Sequence, residues 1–259
     1  MTLVDRVISS LRSRHDDLAG LVATLDDAAL TGPSGASEWR VCDVLSHLGS
    51  GAEITLRPVV VAATGTEPPS DGNQAIWDRW NALSPREQAS GFIERDEVLV
   101  ATLEGLDDDQ RRSVSIDLGF LPAPVPLEVA AGMRLSEVAL HEWDVRAGVV
   151  ADAVLDEEAA GTLLELHAGP MAMMLGFSSR PDAVAEPVVL AVAGHGLSIG
   201  DAVTLVAEPP VAPTATFNGP VEAFVRLLAG RLSPAHTPDD VEVVGNTTLD
   251  ELRGVFPGY

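Results

Sequence analysis

The sequence predicts an up-and-down four-helix bundle over residues 1–150, followed by a smaller α+β domain over 153–259. Three observations carry this expectation. Four long stretches before residue 150 repeat apolar residues at spacings of three and four, the period of a half-buried helix. Beyond residue 150 the pattern changes to short β-branched runs separated by Gly and Pro. The length of 259 residues also exceeds that of a common single domain.

Each element follows in order. Leu3, Val7, Ile8, Leu11, Leu18, Leu21, Val22 and Leu25 mark a first helix over 3–25, broken by Thr31-Gly32-Pro33-Ser34-Gly35. Ser37 is the expected N-cap of a second helix, which buries Val41, Val44, Leu45 and Leu48 and carries His47. At about 100° per residue, His47 lies roughly 60° off the centre of that stripe, at the edge of the core. Gly65 to Gly72, with Pro68-Pro69, is a loop, and Ala75–Leu83 a short aromatic piece. Ser84-Pro85-Arg86-Glu87 is a capping box with proline at the first helical position, opening a helix to about Leu106. Residues 107–126 read as a connection, and Leu127–Gly148 as the fourth long helix, with Gly148 its stop.

In the second part, Asp156–Leu166 reads as helix, with Met171–Leu175 a candidate extension. Pro187–Val192 and Asp201–Val206, with a glycine-rich turn holding His195 between them, read as a hairpin. A strand at Ala215–Phe217, a helix from Gly219-Pro220 to Leu228, a strand at Val241–Val244 and a helix at Leu249–Val255 complete the domain.

The totals exclude several function classes. A formal net charge of -23 argues against a nucleic-acid partner and disfavours docking on anionic lipid. No run approaches the roughly 18 apolar residues of a membrane span. Met1–Arg6 lacks the charged-then-apolar pattern of a secretory leader, so the expectation is a cytoplasmic protein. A single cysteine, Cys42, rules out an internal disulfide. All 16 basic residues are arginine, which excludes Schiff-base lysine chemistry.

Chemistry-bearing residues cluster in two helices. Glu137 and His141 are four apart, so one helical face presents both, one turn apart. With His47 they would form a His2Glu set, which holds catalytic zinc with a position left open. The bland alternatives are an exposed i,i+4 pair worth a few tenths of a kcal/mol and a satisfied core histidine. Asp144, three residues past His141, either orients that histidine or pairs with Arg146 or Arg134. Glu142 points about 100° away from His141 and is expected to be solvated. Cys42 reads as a small buried residue. His15, His167, His195 and His236 lack spaced partners and read as structural. Trp39, Trp77, Trp80 and Trp143 read as core, though one could wall a pocket.

Three stretches carry a likeness: Trp39 with the helix of His47; Arg134-Leu135-Ser136-Glu137-Val138-Ala139-Leu140-His141-Glu142-Trp143-Asp144; and Asn218-Gly219-Pro220-Val221-Glu222-Ala223-Phe224-Val225-Arg226-Leu227-Leu228-Ala229-Gly230-Arg231. In this order and at about these separations they resemble the mycothiol-dependent maleylpyruvate isomerase family, a branch of the DinB-like metal-binding bundles. The resemblance implies a DinB-like four-helix bundle followed by a sterol-carrier-like α+β domain. It implies a divalent metal, usually zinc, held by His47, Glu137 and His141, with mycothiol as thiol cosubstrate. It gives Arg231 a role in activity; that residue suits a substrate carboxylate, or else is a surface arginine at a helix C-terminus. The implied activity is cis–trans isomerisation of the maleylpyruvate type or thiol S-transfer, on a small carboxylate-bearing electrophile. A non-catalytic metal- or small-ligand-binding protein, or a metal-dependent hydrolase on the same bundle, are the competing readings.

Overall fold

The computed structural model describes residues 1–67 and 71–258. Pro68-Pro69 of the expected loop lie outside the described residues. The chain divides into two compact units, the first Met1–Ala153 and the second beginning at Val154.

The first unit is built from α1 (Leu3–Val22), α2 (Asp27–Thr31), α3 (Val41–Thr64), α4 (Asn73–Asn81), α5 (Pro85–Glu104), α6 (Asp108–Ser113), a two-stranded ribbon β1 (Ser115–Ile116) with β2 (Val125–Pro126), and α7 (Leu127–Val149). The long helices α1, α3, α5 and α7 form a bundle in which α1 and α3 each pack against both α5 and α7. Local chemistry sets their starts. Thr2 and Asp5 form a capping box on α1, and Ser84 with Glu87 forms the expected one on α5, with Pro85 at its first position.

Side-chain contacts fix the helix directions. Arg12 of α1 bonds Glu104 at the end of α5, while Arg86 at the start of α5 reaches Leu25 and Asp27, so α1 and α5 are antiparallel. The start of α3 bonds Gly32 after α2, and its end accepts a bond at Ala63 from Gln110 beyond α5. Helices α3 and α5 therefore run the same way, and α4 with its flanking segments carries the chain back along the bundle. The up-and-down order is refined to up, down, down, up.

Three local expectations give way. Ser37 does not cap α3: the cap is Arg40, whose backbone N–H donates to Asp43 at 2.9 Å. Asp43 also accepts the Arg40 guanidinium, so an acid three residues on competes better than an upstream hydroxyl. Gly148 lies inside α7 and does not end it; a Cβ there would sit 2.3 Å from the Pro33 carbonyl oxygen, so the glycine serves close packing. The connection 107–126 contains α6, capped by Asp107, and the β1–β2 ribbon.

The second unit holds α8 (Glu157–His167), α9 (Met174–Ser178), β3 (Val188–Val192), β4 (His195–Ile199), β5 (Val203–Val206), β6 (Ala215–Asn218), α10 (Val221–Leu228), β7 (Glu242–Gly245) and α11 (Leu249–Val255). Its sheet has the order β5-β4-β3-β6-β7, antiparallel except for β3 with β6. The expected single hairpin is a three-stranded meander. Ala193 and Gly194, both at positive φ, make a two-residue turn that pairs Val192 with His195, so His195 begins a strand. A turn separates α9 from α8, so Met171–Leu175 does not extend that helix. Alternating Val188, Leu190 and Val192 join Leu197, Ile199, Phe217 and Phe224 in the core.

His167 ends α8, where a cation would suit the helix dipole. Burial wins instead and pushes its imidazole down to about 4, with Nδ1 buried and unpartnered. The unfolded chain takes up this proton below about pH 6.5, the native one only near 4. Stability is therefore lost as pH falls between those values, by about 3 kcal/mol. Urea unfolding at pH 7 and 4.5 should show a smaller acid loss in His167→Asn than in the parent; equal losses would exclude this site as a cause.

Among the described residues, no helix is long and apolar enough to cross a membrane.

Candidate metal centre

Antiparallel packing of α3 on α7 brings His47 against the face that carries Glu137 and His141. His47 Nε2 lies 2.7 Å from Glu137 Oε2, and His141 Nε2 lies 3.7 Å from the same oxygen. All three donor atoms fall within 4.8 Å of one another. Ligand atoms around a tetrahedral zinc sit about 3.4 Å apart, given bonds near 2.0–2.1 Å, so small side-chain shifts suffice.

The electrostatics favour a positive charge at this point. Burial alone would raise the Glu137 carboxyl, but the hydrogen bond from His47 and the charges of His141, His47 and Arg134 hold it down to about 2. It is thus an anion at neutral pH. Asp144, fully buried, lies 2.7 Å from His141 Nδ1. A carboxylate can only accept, so Nδ1 carries a proton, which leaves Nε2 as the nitrogen available to a metal. Arg146 pairs with Glu142, and Arg134 with Asp96. Glu142 itself is buried between Arg14 and Arg146 and not solvated; the helix α1 covers the side that the single-helix view left open. Burial raises its carboxyl despite both arginines.

The loop before α3 roofs the centre. Trp39 stacks on His141 with ring centroids 5.9 Å apart and approaches His47 at 5.3 Å. Glu38 adopts a left-handed conformation at φ 68°, a local strain that helps aim the next residue. Gly35 donates its N–H to the Asp144 carbonyl at 2.7 Å, and a Cβ on it would fall 2.9 Å from the Trp143 ring. Pro33 and Arg40 close the loop as a bridge.

Trp39 is 39 % exposed and Trp77 43 %, so these two are not core; they line an open cleft of about 350 Å³ together with Asp43, His47, Ser50 and Asn81. Trp80 is core: its ring fills a notch over Gly49, where a Cβ would come within 2.2 Å, and beside Gly91 at 3.1 Å. Glu53 accepts from Arg79 and from Trp80 Nε1, which pins α4 on α3. The cleft residues on α4 escape sequence reasoning because only the tertiary position of α4 brings them near His47. The i,i+4 spacing of Trp77 and Asn81 is the one usable signal.

Beneath the centre a buried polar chain ties the four long helices together. Arg134 of α7 donates to the Leu48 carbonyl of α3 at 2.9 Å and to Asp96 of α5 at 2.6 Å, and Asp96 lies 2.9 Å from His15 Nδ1 of α1. The His15 ring is thereby held between α1 and α5, with its Nε2 3.2 Å from Glu97. Burial would raise the Asp96 carboxyl, but Arg134 and His15 hold it low. Arg134 is one turn before Glu137, a spacing that marks it as a neighbour on the same face.

Arg231 lies in the second unit, half-buried, after the turn that ends α10. Its N–H donates to the Arg226 carbonyl at 2.7 Å and its guanidinium to the Ala229 carbonyl at 3.2 Å. Gly230, at φ 70°, precedes it. Cys42 is buried, and burial raises its thiol.

Comparison with known proteins accords with this architecture. Uncharacterized proteins from two strains of Mycobacterium tuberculosis are 29% identical over 146 residues, covering 56% of this chain and 69% of theirs. Crystal structures of the mycothiol-dependent maleylpyruvate isomerase and of a mutant of it superpose with a TM-score of 0.65 at 16% identity, covering 96% of this chain and 95% of that one. Their fold, a helical N-terminal part and an α+β C-terminal part, is the fold of this chain. Residues 11–146, which contain His47, Glu137, His141 and Asp144, match the family described as Mycothiol maleylpyruvate isomerase N-terminal domain, and the chain belongs to that family.

Proposed function

We propose that this protein is a metal-dependent enzyme that uses mycothiol as cosubstrate, a cis–trans isomerase of the maleylpyruvate type or a thiol S-transferase. Its substrate would be a small, carboxylate-bearing electrophile. The observation that carries the reading is the convergence of His47 Nε2, Glu137 Oε2 and His141 Nε2 beside an open cleft. In this reading residues 1–150 are the DinB-like metal-binding domain and 153–259 the sterol-carrier-like one. Membership of the Mycothiol maleylpyruvate isomerase N-terminal domain family supports the reaction class.

The donor set fits a divalent metal, and zinc in particular: two neutral imidazoles and one carboxylate leave a net charge near +1. Such an ion would lower the pKa of a thiol or water that reaches it. The chain's own residues do the rest. Glu137, already ionised, contributes the anionic ligand. Asp144 holds the His141 ring in one tautomer and orientation. Trp39 covers both imidazoles and limits water beside them. Arg231 would clamp the substrate carboxylate, because its fork binds two oxygens. In the isomerase case the thiolate adds to one carbon of a conjugated cis double bond, the new single bond rotates, and the same thiolate leaves to give the trans product.

Purified full-length protein should carry about one divalent metal per chain and consume or isomerise only when mycothiol is present. If it binds no zinc, nickel or iron, the reading fails. Metal binding without any use of mycothiol would favour a non-catalytic binder.

A further inference from the structure

Two half-exposed tryptophans lining one cleft are unusual, since a ring of that size normally buries most of its surface. Here Trp39 from the loop before α3 and Trp77 from α4 line the same cleft. Among the described residues, no hydrogen bond engages either indole N–H or the Asn81 side-chain amide. Asn81 follows Trp77 by one helical turn, so α4 presents a ring and an amide on one face. Asp43 on α3 lines the cleft as well; its Oδ2 is taken by Arg40, and its Oδ1, paired once with the same guanidinium, keeps a lone pair for a further donor. The anchoring of Trp80 and Glu53 fixes α4, so this wall is built before a ligand arrives.

Flat rings with planar amide and carboxylate groups beside them match one ligand chemistry well. The axial C–H faces of a sugar or cyclitol ring pack on indole, and its hydroxyls bond to Asn and Asp. The cleft volume of about 350 Å³ also lies within the range of small-molecule sites, at its lower end. The portion of the ligand on this wall should be uncharged, because its lining offers a carboxylate, Asp43, and no arginine.

We propose that Trp39, Asp43, Trp77 and Asn81 form a glycoside-binding subsite that recognises the hydroxyl-rich portion of the thiol cosubstrate and selects it over anionic thiols. This rests on the thiol-dependent reading above. Mycothiol, an N-acetylcysteine carried on a glucosamine–inositol glycoside, has the required neutral polyol. His47 of the donor cluster lines the same cleft, so one molecule would span both places.

The test separates the subsite from the metal reading. Metal-free full-length protein is titrated with mycothiol disulfide, which has no free thiol, following tryptophan fluorescence. Cobalt-loaded protein is then titrated with mycothiol, N-acetylcysteine and glutathione, following thiolate-to-cobalt absorbance. The disulfide should change the fluorescence, and mycothiol should bind more tightly than both other thiols. Trp77→Ala should weaken mycothiol about 10-fold and Asn81→Ala about 3- to 10-fold, with N-acetylcysteine unchanged. Equal affinities for mycothiol and N-acetylcysteine, or variants that weaken both alike, would overturn the subsite while leaving the metal reading intact. A fluorescence response to the disulfide that Trp77→Ala abolishes, with no thiolate band from any thiol, would keep the subsite and sink the metal–thiol reading.

Discussion

Glu137→Gln should lose most of its bound metal while keeping its helical circular dichroism. The change conserves shape but removes the one anion of the proposed ligand set. Zinc in structural sites gains about 10–16 kcal/mol from four ligands, so one ligand accounts for on the order of 3–4 kcal/mol, or about 100- to 1,000-fold in affinity. The proposed thiol-dependent reaction should fall by a similar factor when metal is limiting. Competition against a chromophoric chelator measures it. Retention of metal at parental affinity would remove Glu137 from the ligand set. Asp144→Asn offers a graded control, because it leaves all three proposed ligands and disturbs only the orientation of His141; about 10- to 100-fold is expected there.

The second large effect concerns the core of the bundle. Asp96→Ala should destabilise the first unit by about 3–5 kcal/mol, because it strands the buried Arg134 guanidinium without its carboxylate. Arg134 Nε is already buried without a partner, so the group has little reserve. The pair Asp96→Leu with Arg134→Met should cost less than Asp96→Ala alone, since removing both charges avoids an uncompensated ion. Urea denaturation of the single and double variants decides it. If the double variant is less stable than either single one, the network stabilises the fold outright and does not merely avoid a penalty.

These two sites also show what can be read from a sequence and what cannot. Glu137 and His141 are legible because one helix brings them together, and helical spacing is a local property. The fold class is legible for the same reason: the capping box at Ser84–Glu87 and the α11 helix at Leu249–Val255 both sit where their patterns place them. Gly148 misleads because a glycine near a helix end suggests a stop, while its real partner, Pro33, is more than a hundred residues away. Glu142 misleads in the same manner, since Arg14 closes over it from another helix. The His195 strand is missed because its turn is only Ala193-Gly194, and the glycines that flank it look like a longer loop. The cleft is the least legible part. Trp77 and Asn81 reach it only through the notch that Gly49 and Gly91 leave for Trp80, a three-body fit with no periodicity.

The roof over the centre has one more consequence, which lies in kinetics. Segments that cover reactive groups are commonly mobile and close only after a ligand enters. The stretch from Pro33 to Arg40 is different: it is bridged at its base, tied through Gly35 to the backbone of Asp144, and pressed against Gly148. Trp39 is therefore seated by folding itself, and a ligand need not spend affinity on ordering it. Arrival should be a single bimolecular event whose observed rate rises linearly with ligand concentration, without the plateau that a slow closing step imposes.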